Sequence, residues 1–188
     1  MSEIQWIGCI SIEKWKITKY DMAMRTMILL SAIPGSGKST WAKRYQAEHH
    51  NTHIVSSDEL RKQLYGKVNN FEHEKDLWAH FLATLNSFEG DDVTVIADAT
   101  NLTNAYRRYY LENTPSYDRH ILVCFNIPFD ICRFQNRQRE NERVVPEYAM
   151  DSLIAEWETP NQETIDLYDE VIFVGPNFVS EKAKALKP

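Results

Sequence analysis

No stretch of this chain is apolar for long enough to cross a bilayer. Its most apolar run, Met27 to Ile33, has seven residues where a membrane helix needs about 20, so it reads as a buried strand. Cysteine is scarce as well: Cys9, Cys124 and Cys132 are odd in number and form no C-x-x-C pair, which excludes a fold that depends on disulfide staples. With no signal-peptide pattern at the start, these absences point to a soluble protein of the reducing cytoplasm. Positive charge is in short supply, with 21 Lys and Arg against 27 Asp and Glu for a formal charge of −6. That balance excludes a protein that coats nucleic acid through a dense basic surface, but leaves room for one that grips a single chain end. Internal repeats and low-complexity tracts are lacking too.

What is present fits one domain of ordinary size, able to bury roughly two-thirds of its unfolded surface. Residues 1 to 25 carry isolated apolar positions, among them Ile4, Trp6, Ile7, Trp15 and Ile17, and read as a short strand or an extended arm. From Met27 the order is regular. An apolar strand to Ala32 is followed by a Gly-rich turn and a helix over Lys38 to Glu48. A second strand, His53 to Ser56, precedes a helix over Glu59 to Tyr65 that Gly66 closes. A longer helix is expected to carry Trp78, Phe81, Leu82, Leu85 and Phe88 on one stripe and to end at Gly90. Strands at Val93 to Ala97, Ile121 to Phe125 and Val171 to Val174 alternate with helices over Tyr106 to Leu111, Asp130 to Arg139 and from Pro146 to about Glu158. Continuous apolar strands alternating with helices predict an α/β fold with a parallel sheet flanked by helices.

The run Ala32-Ile-Pro-Gly-Ser-Gly-Lys-Ser39 sits between a strand and a helix, the context that the phosphate-loop pattern G-x-x-x-x-G-K-[ST] requires. Gly35 and Gly37 let backbone N–H groups turn inward, where with the positive helix end they hold phosphates. Lys38 adds a mobile charge, and Ser39 offers a hydroxyl to Mg²⁺, a cation that prefers oxygen ligands. The expected nucleotide-binding set is Pro34, Gly35, Ser36, Gly37, Lys38, Ser39 and Thr40. A plain Gly-rich turn would not need lysine and serine directly after its second glycine.

Phosphoryl transfer to an alcohol needs a carboxylate near the attacking hydroxyl and cations where charge builds up. Asp58 stands just past the second strand, and Arg61, three positions on, shares its helical face. Asp98, closing the third strand, is a second carboxylate at the same edge and a candidate to hold a magnesium-bound water. Each aspartate has a plainer reading as a helix cap. Arg133, Arg137, Arg139 and Arg143 crowd into eleven residues. The first two read as a solvated helix face; Arg139 and Arg143 fall in a looser segment before Val144-Val145-Pro146, where a lid would bring guanidinium groups onto phosphate.

Taken together, Gly35-Ser-Gly-Lys-Ser-Thr-Trp-Ala42, Ser57-Asp58-Glu-Leu-Arg61, Asp98-Ala-Thr-Asn101 and the run Asn136 to Pro146 resemble the kinase domain of phage and bacterial polynucleotide 5′-hydroxyl kinases, over about Met27 to Val174. Much of the resemblance is shared with other small P-loop kinases. It implies a P-loop fold, ATP and Mg²⁺ as cofactors, and the 5′ end of DNA or RNA as substrate. By the same resemblance Asp58 is the general base and Arg61 holds the neighbouring phosphate of the acceptor. Arg139 is the lid arginine on the transferring phosphoryl, with Arg143 the alternative. Val145 would pack against the terminal base, and Gly175 and Pro176 would border the adenine. The implied division is an arm over 1–26 and a kinase domain over 27–188, with a lid at about 137–146. Ala32 departs from the pattern's first glycine, and no D-x-D-x-T phosphatase motif is present. A sugar, antibiotic or nucleoside kinase and a nucleotide-dependent switch remain alternative readings.

Overall fold

The computed structural model describes residues 4–7 and 24–176. The remaining arm positions, Trp15 and Ile17 among them, lie outside the described residues. Six strands form one parallel sheet: β1 (Ile4–Ile7), β2 (Thr26–Ser31), β3 (Thr52–Ser56), β4 (Thr94–Asp98), β5 (Arg119–Phe125) and β6 (Glu170–Val174), in the order β1-β6-β5-β2-β4-β3. The helices are α1 (Lys38–Glu48), α2 (Ser57–Tyr65), α3 (Glu74–Leu85), α4 (Asn104–Asn113), α5 (Phe129–Arg137), α6 (Glu147–Glu156) and α7 (Gln162–Ile165). The strand expected in the arm is β1, which pairs Ile4 with Val171 and Ile7 with Val174 at the sheet edge.

A parallel strand covered on both faces must be apolar at odd and even positions alike, and β2 is buried at all six. Ile28 and Leu30 join Ile96, Val123 and Ile172 in one core, against Ala42 of α1, Cys132 of α5 and Met150 of α6. Met27 and Leu29 join Val95, Leu122 and Val171 in the other, against Phe81 and Leu85 of α3, Tyr110 of α4 and Ile165 of α7. The period-two alternation of side chains thus sorts one strand between two cores. From β2 the chain runs outward to β3 on one side, then crosses to β5 and β6 on the other. That reversal leaves a crevice at the carboxyl end of β2, where open α/β sheets hold ligands.

Some boundaries differ from those the sequence suggests. The helix with the aromatic stripe ends at Leu85, not Gly90, so Phe88 lies outside it. Asn86 stops it, donating from Nδ2 to the carbonyls of Leu82 at 3.1 Å and Asn113 at 2.9 Å. Its fully buried face is Leu77, Phe81 and Leu85, with Trp78 only partly covered. The helix expected to reach Arg139 stops at Arg137, and α7 was not expected at all.

Candidate active site

The phosphate loop grows from β2 without a break. Ala32 is fully buried and donates its N–H to Thr100 O at 2.9 Å. Its φ is not positive, so alanine meets no backbone penalty where the motif usually has glycine. Gly35 and Gly37 do need their freedom, with φ of 81° and 88°. A Cβ on Gly35 would stand 2.1 Å from Cys132 O and 3.0 Å from Asn136 N, so the loop lies directly on the backbone of α5. Helix α1 starts at Lys38 with Gly37 as its cap and no side chain closing its first turn. Nor does that turn contain an acidic residue, which leaves its N–H groups and positive dipole end available to an anion. Ser36 is buried with its Oγ unpartnered. Pro34 is buried, while Ser39 is half-buried and Thr40 exposed. Burial pushes the Cys132 thiol up to about 12, and the nearby charge of Lys38 opposes that rise.

A polar network lies behind the loop. Ser31 Oγ donates to Asn101 O at 2.7 Å, and Asn101 Nδ2 donates to Leu30 O at 2.8 Å. Arg107, 0 % exposed, donates Nε to Ser31 Oγ at 3.1 Å and Nη2 to Leu102 O at 2.8 Å, and its guanidinium lies over Trp157. Burial lowers the arginine's pKa. These bonds fasten the segment after β4 to the end of β2. Asp98 closes β4 just before that segment, 5 % exposed, with its Oδ1 buried and unpartnered. It is not the helix cap, since Thr103 accepts the N–H of Tyr106 at 3.1 Å and caps α4. A buried carboxylate oxygen without a hydrogen bond is costly, and its chemistry suits a hard cation that prefers oxygen ligands.

Across the crevice, Ser56 rather than Ser57 or Asp58 caps α2, so Asp58 occupies the first turn with its carboxylate free for other partners. Oδ1 accepts from Arg61 Nη1 at 3.2 Å, and Oδ2 accepts from Arg139 Nη2 at 3.5 Å. Arg61, 4 % exposed, is heavily engaged. It forks onto Glu74, Nε to Oε1 at 3.0 Å and Nη2 to Oε2 at 3.3 Å, donates to Val68 O at 3.2 Å, and lies under the ring of Phe71. Arg143 pairs with Glu59. Arg133 and Arg137 instead join α5 to α6 through Glu147 and Asp151, a structural task away from the site, though as ion-paired links rather than a merely solvated face.

The expected residues therefore gather at one sheet edge: the 34–40 loop after β2, Asp58 and Arg61 after β3, Asp98 at the end of β4, and Arg139 reaching over. Glu74, Phe71 and Arg107 also shape the site and carry no sequence signal for it, while Asn136, which opens the run Asn136 to Pro146, takes a part there that the motif does not specify. Glu74 and Phe71 lie a loop away from Arg61, and only tertiary packing joins them. No helix among the described residues is long and apolar enough to cross a membrane.

A strand, a glycine loop and a lysine-serine helix start at the crevice of a parallel sheet define a P-loop nucleotide-binding domain of the kinase-like kind. The chain belongs to the AAA domain family AAA_33, whose model matches residues 27–160. It is 25 % identical over 154 residues to protein kti12 of Schizosaccharomyces pombe, covering 73 % of this chain and 53 % of that protein. The chain thus spans about half the length of this curated relative. Among solved structures, Kti12 of Chaetomium thermophilum in complex with ADP-AlF3 superposes with a TM-score of 0.65 at 18 % identity, covering 85 % of this chain and 94 % of that one. A fungal RNA kinase superposes with a TM-score of 0.60 at 18 % identity, covering 81 % and 75 %. At these identities the superpositions establish the fold.

Proposed function

We propose that the chain transfers the γ-phosphoryl of ATP to the 5′-hydroxyl end of a polynucleotide, DNA or RNA. The observation that carries this reading is the Asp58 carboxylate, held between Arg61 and Arg139 at the sheet edge that also carries the phosphate loop. Lys38 and the backbone of residues 34–40 hold the triphosphate. Asp58 takes the proton of the attacking hydroxyl as its oxygen bonds to the γ-phosphorus. The bond from that phosphorus to the bridging oxygen breaks, and ADP leaves with the electron pair. Arg139, already beside Asp58, places its charge where nucleophile and phosphoryl meet. Ser39 and Asp98 are the residues that would hold Mg²⁺, which when bound neutralises charge on the phosphates. Arg61 acts through Asp58: with its N–H groups on Asp58, Glu74 and Val68, it orients the base, and it grips an acceptor phosphate only if Glu74 yields. A fungal RNA kinase has this fold, as does a gluconokinase, so the fold allows a polynucleotide acceptor without choosing it.

The engagement of Arg61 by Glu74 also favours a second reading, a nucleotide-dependent switch that binds ATP and signals to a partner without phosphorylating any acceptor. Both readings are separated by incubating the protein with Mg²⁺ and γ-labelled ATP beside 5′-hydroxyl RNA and DNA oligonucleotides, sugars and nucleosides. Label on the oligonucleotides is the expected result. Label on a sugar or nucleoside alone replaces the acceptor, and ATP binding without any labelled acceptor favours the switch.

A further inference from the structure

Asn136, in the last turn of α5, is 1 % exposed, and its polar groups meet three parts of the site. Its Nδ2 donates to Val145 O at 2.7 Å, and its Oδ1 accepts from Val145 N–H at 3.1 Å. Its own carbonyl accepts from Arg139 N–H at 3.1 Å. Its backbone nitrogen stands 3.0 Å from where a Cβ on Gly35 would be. One residue therefore touches the phosphate loop on one side and both ends of the 137–145 segment on the other.

Between those ends the segment makes only a 3-10 turn, Asn141–Arg143, so little of its shape comes from its own secondary structure. Its two long cations reach outward, Arg139 to Asp58 and Arg143 to Glu59. A buried amide bonded to both polar groups of one residue is a two-point clasp. The cost of burying that amide is met only while Val145 stays in place.

We propose that Asn136 is a positioning residue for phosphoryl transfer: its clasp on Val145 closes the base of the 137–145 segment and sets Arg139 and Arg143 in a fixed relation to the phosphate loop. The proposal rests on the reading of this segment as the lid that serves the transferring phosphoryl. The clasp converts a loose loop into one whose ends are joined at a point that Gly35 also touches. Motion of the loop's base is then shared with the nucleotide site rather than lost in the loop.

The test uses the full chain and two readouts. In Asn136→Ala, amide hydrogen exchange over 137–145 is expected to quicken at least about tenfold, with exchange over β2 and α1 unchanged. ATP turnover falls through kcat, with KM for ATP within about threefold of wild type. The doubly substituted Asn136→Ala/Arg139→Ala protein is slower than Arg139→Ala alone by less than about tenfold, the share left to Arg143, because both changes remove the same Arg139 guanidinium from its place. Should Asn136→Ala fail to fold, Asn136→Asp keeps the acceptor for Val145 N–H and sets a carboxylate oxygen against Val145 O, with the same expected outcome. Unchanged exchange over 137–145 overturns the clasp. Faster exchange with wild-type turnover, or losses that multiply in the double variant, overturns the positioning role. Wild-type turnover in Arg139→Ala itself counts against the lid reading and leaves the clasp to be judged by exchange.

Discussion

Arg139 reaches Asp58 across 81 residues of chain, Nη2 to Oδ2 at 3.5 Å, and so ties the segment after α5 to the first turn of α2. Arg143 pairs with Glu59 on the same turn. Two cations from one short segment meet two neighbouring carboxylates beyond the phosphate loop. With Arg139 serving the transition state, Arg139→Ala lowers transfer about a thousandfold or more, as removal of a phosphoryl-transfer arginine does. Arg143→Ala lowers it less than about tenfold, and Arg139→Lys fails to restore the rate because an ammonium lacks the planar fork. Steady-state turnover of the three variants checks the ranking.

Lys38 begins α1 directly after the left-handed Gly37, partly exposed and with no place in either core. Lys38→Ala is therefore expected to abolish transfer and weaken ATP binding, while the melting temperature moves by less than about 2 °C. Calorimetric binding of ATP alongside thermal unfolding measures both.

Gly35 is a different matter. A methyl group there meets Cys132 O at 2.1 Å while φ stands at 81°. The clash cannot relax without moving α5 off the loop, and the positive φ strains an alanine whatever space it has. Gly35→Ala is expected to cost about 3 kcal/mol or more, a drop in melting temperature of roughly 10 °C for a chain of this size. A loss below about 1 kcal/mol would show that the loop and α5 are not in contact.

Much of this was legible in the sequence, for a physical reason. The strands of a parallel sheet are apolar on both faces, so Met27 to Ile33 and Ile121 to Phe125 stand out as runs. The 34–40 loop is local chemistry, fixed by glycines, lysine and serine within a few positions. Caps were less readable: Ser56, Ser57 and Asp58 all favour a helix start, and only the fold shows that Ser56 takes the role. The partners of Arg61 were beyond reach, since Glu74 lies 13 residues away and Val68 sits in an irregular loop. The same holds for Arg107, whose bonds to Ser31 and to the carbonyl of Glu158 span 76 and 51 residues. Periodicity marks it only as one more charged position on a helix.

His120 gives the fold a pH dependence of definite sign. Burial lowers its pKa, and its Nε2 lies 2.9 Å from Thr114 Oγ1 and 3.2 Å from Thr114 O. The unfolded chain, with a histidine near 6.5, then binds more protons than the folded one below that pH. The contribution of His120 is complete above about pH 7 and is lost as the pH drops through about 6.5 toward the lowered folded value. Melting temperatures between pH 5 and 7.5 are expected to decline on the acid side, and His120→Gln, which keeps an N–H donor for Thr114, flattens that slope. An unaltered slope in the variant would assign the decline to other groups.

The account turns on Asp58 as the group that accepts the acceptor's proton opposite the phosphate loop. The most direct measurement is single-turnover transfer from γ-labelled ATP to a 5′-hydroxyl oligonucleotide by the wild type and by Asp58→Asn, with ATP binding measured in both. The expected result is unchanged ATP affinity within about threefold and a transfer rate lower by about a hundredfold or more in the variant. Transfer by Asp58→Asn at the wild-type rate would contradict it.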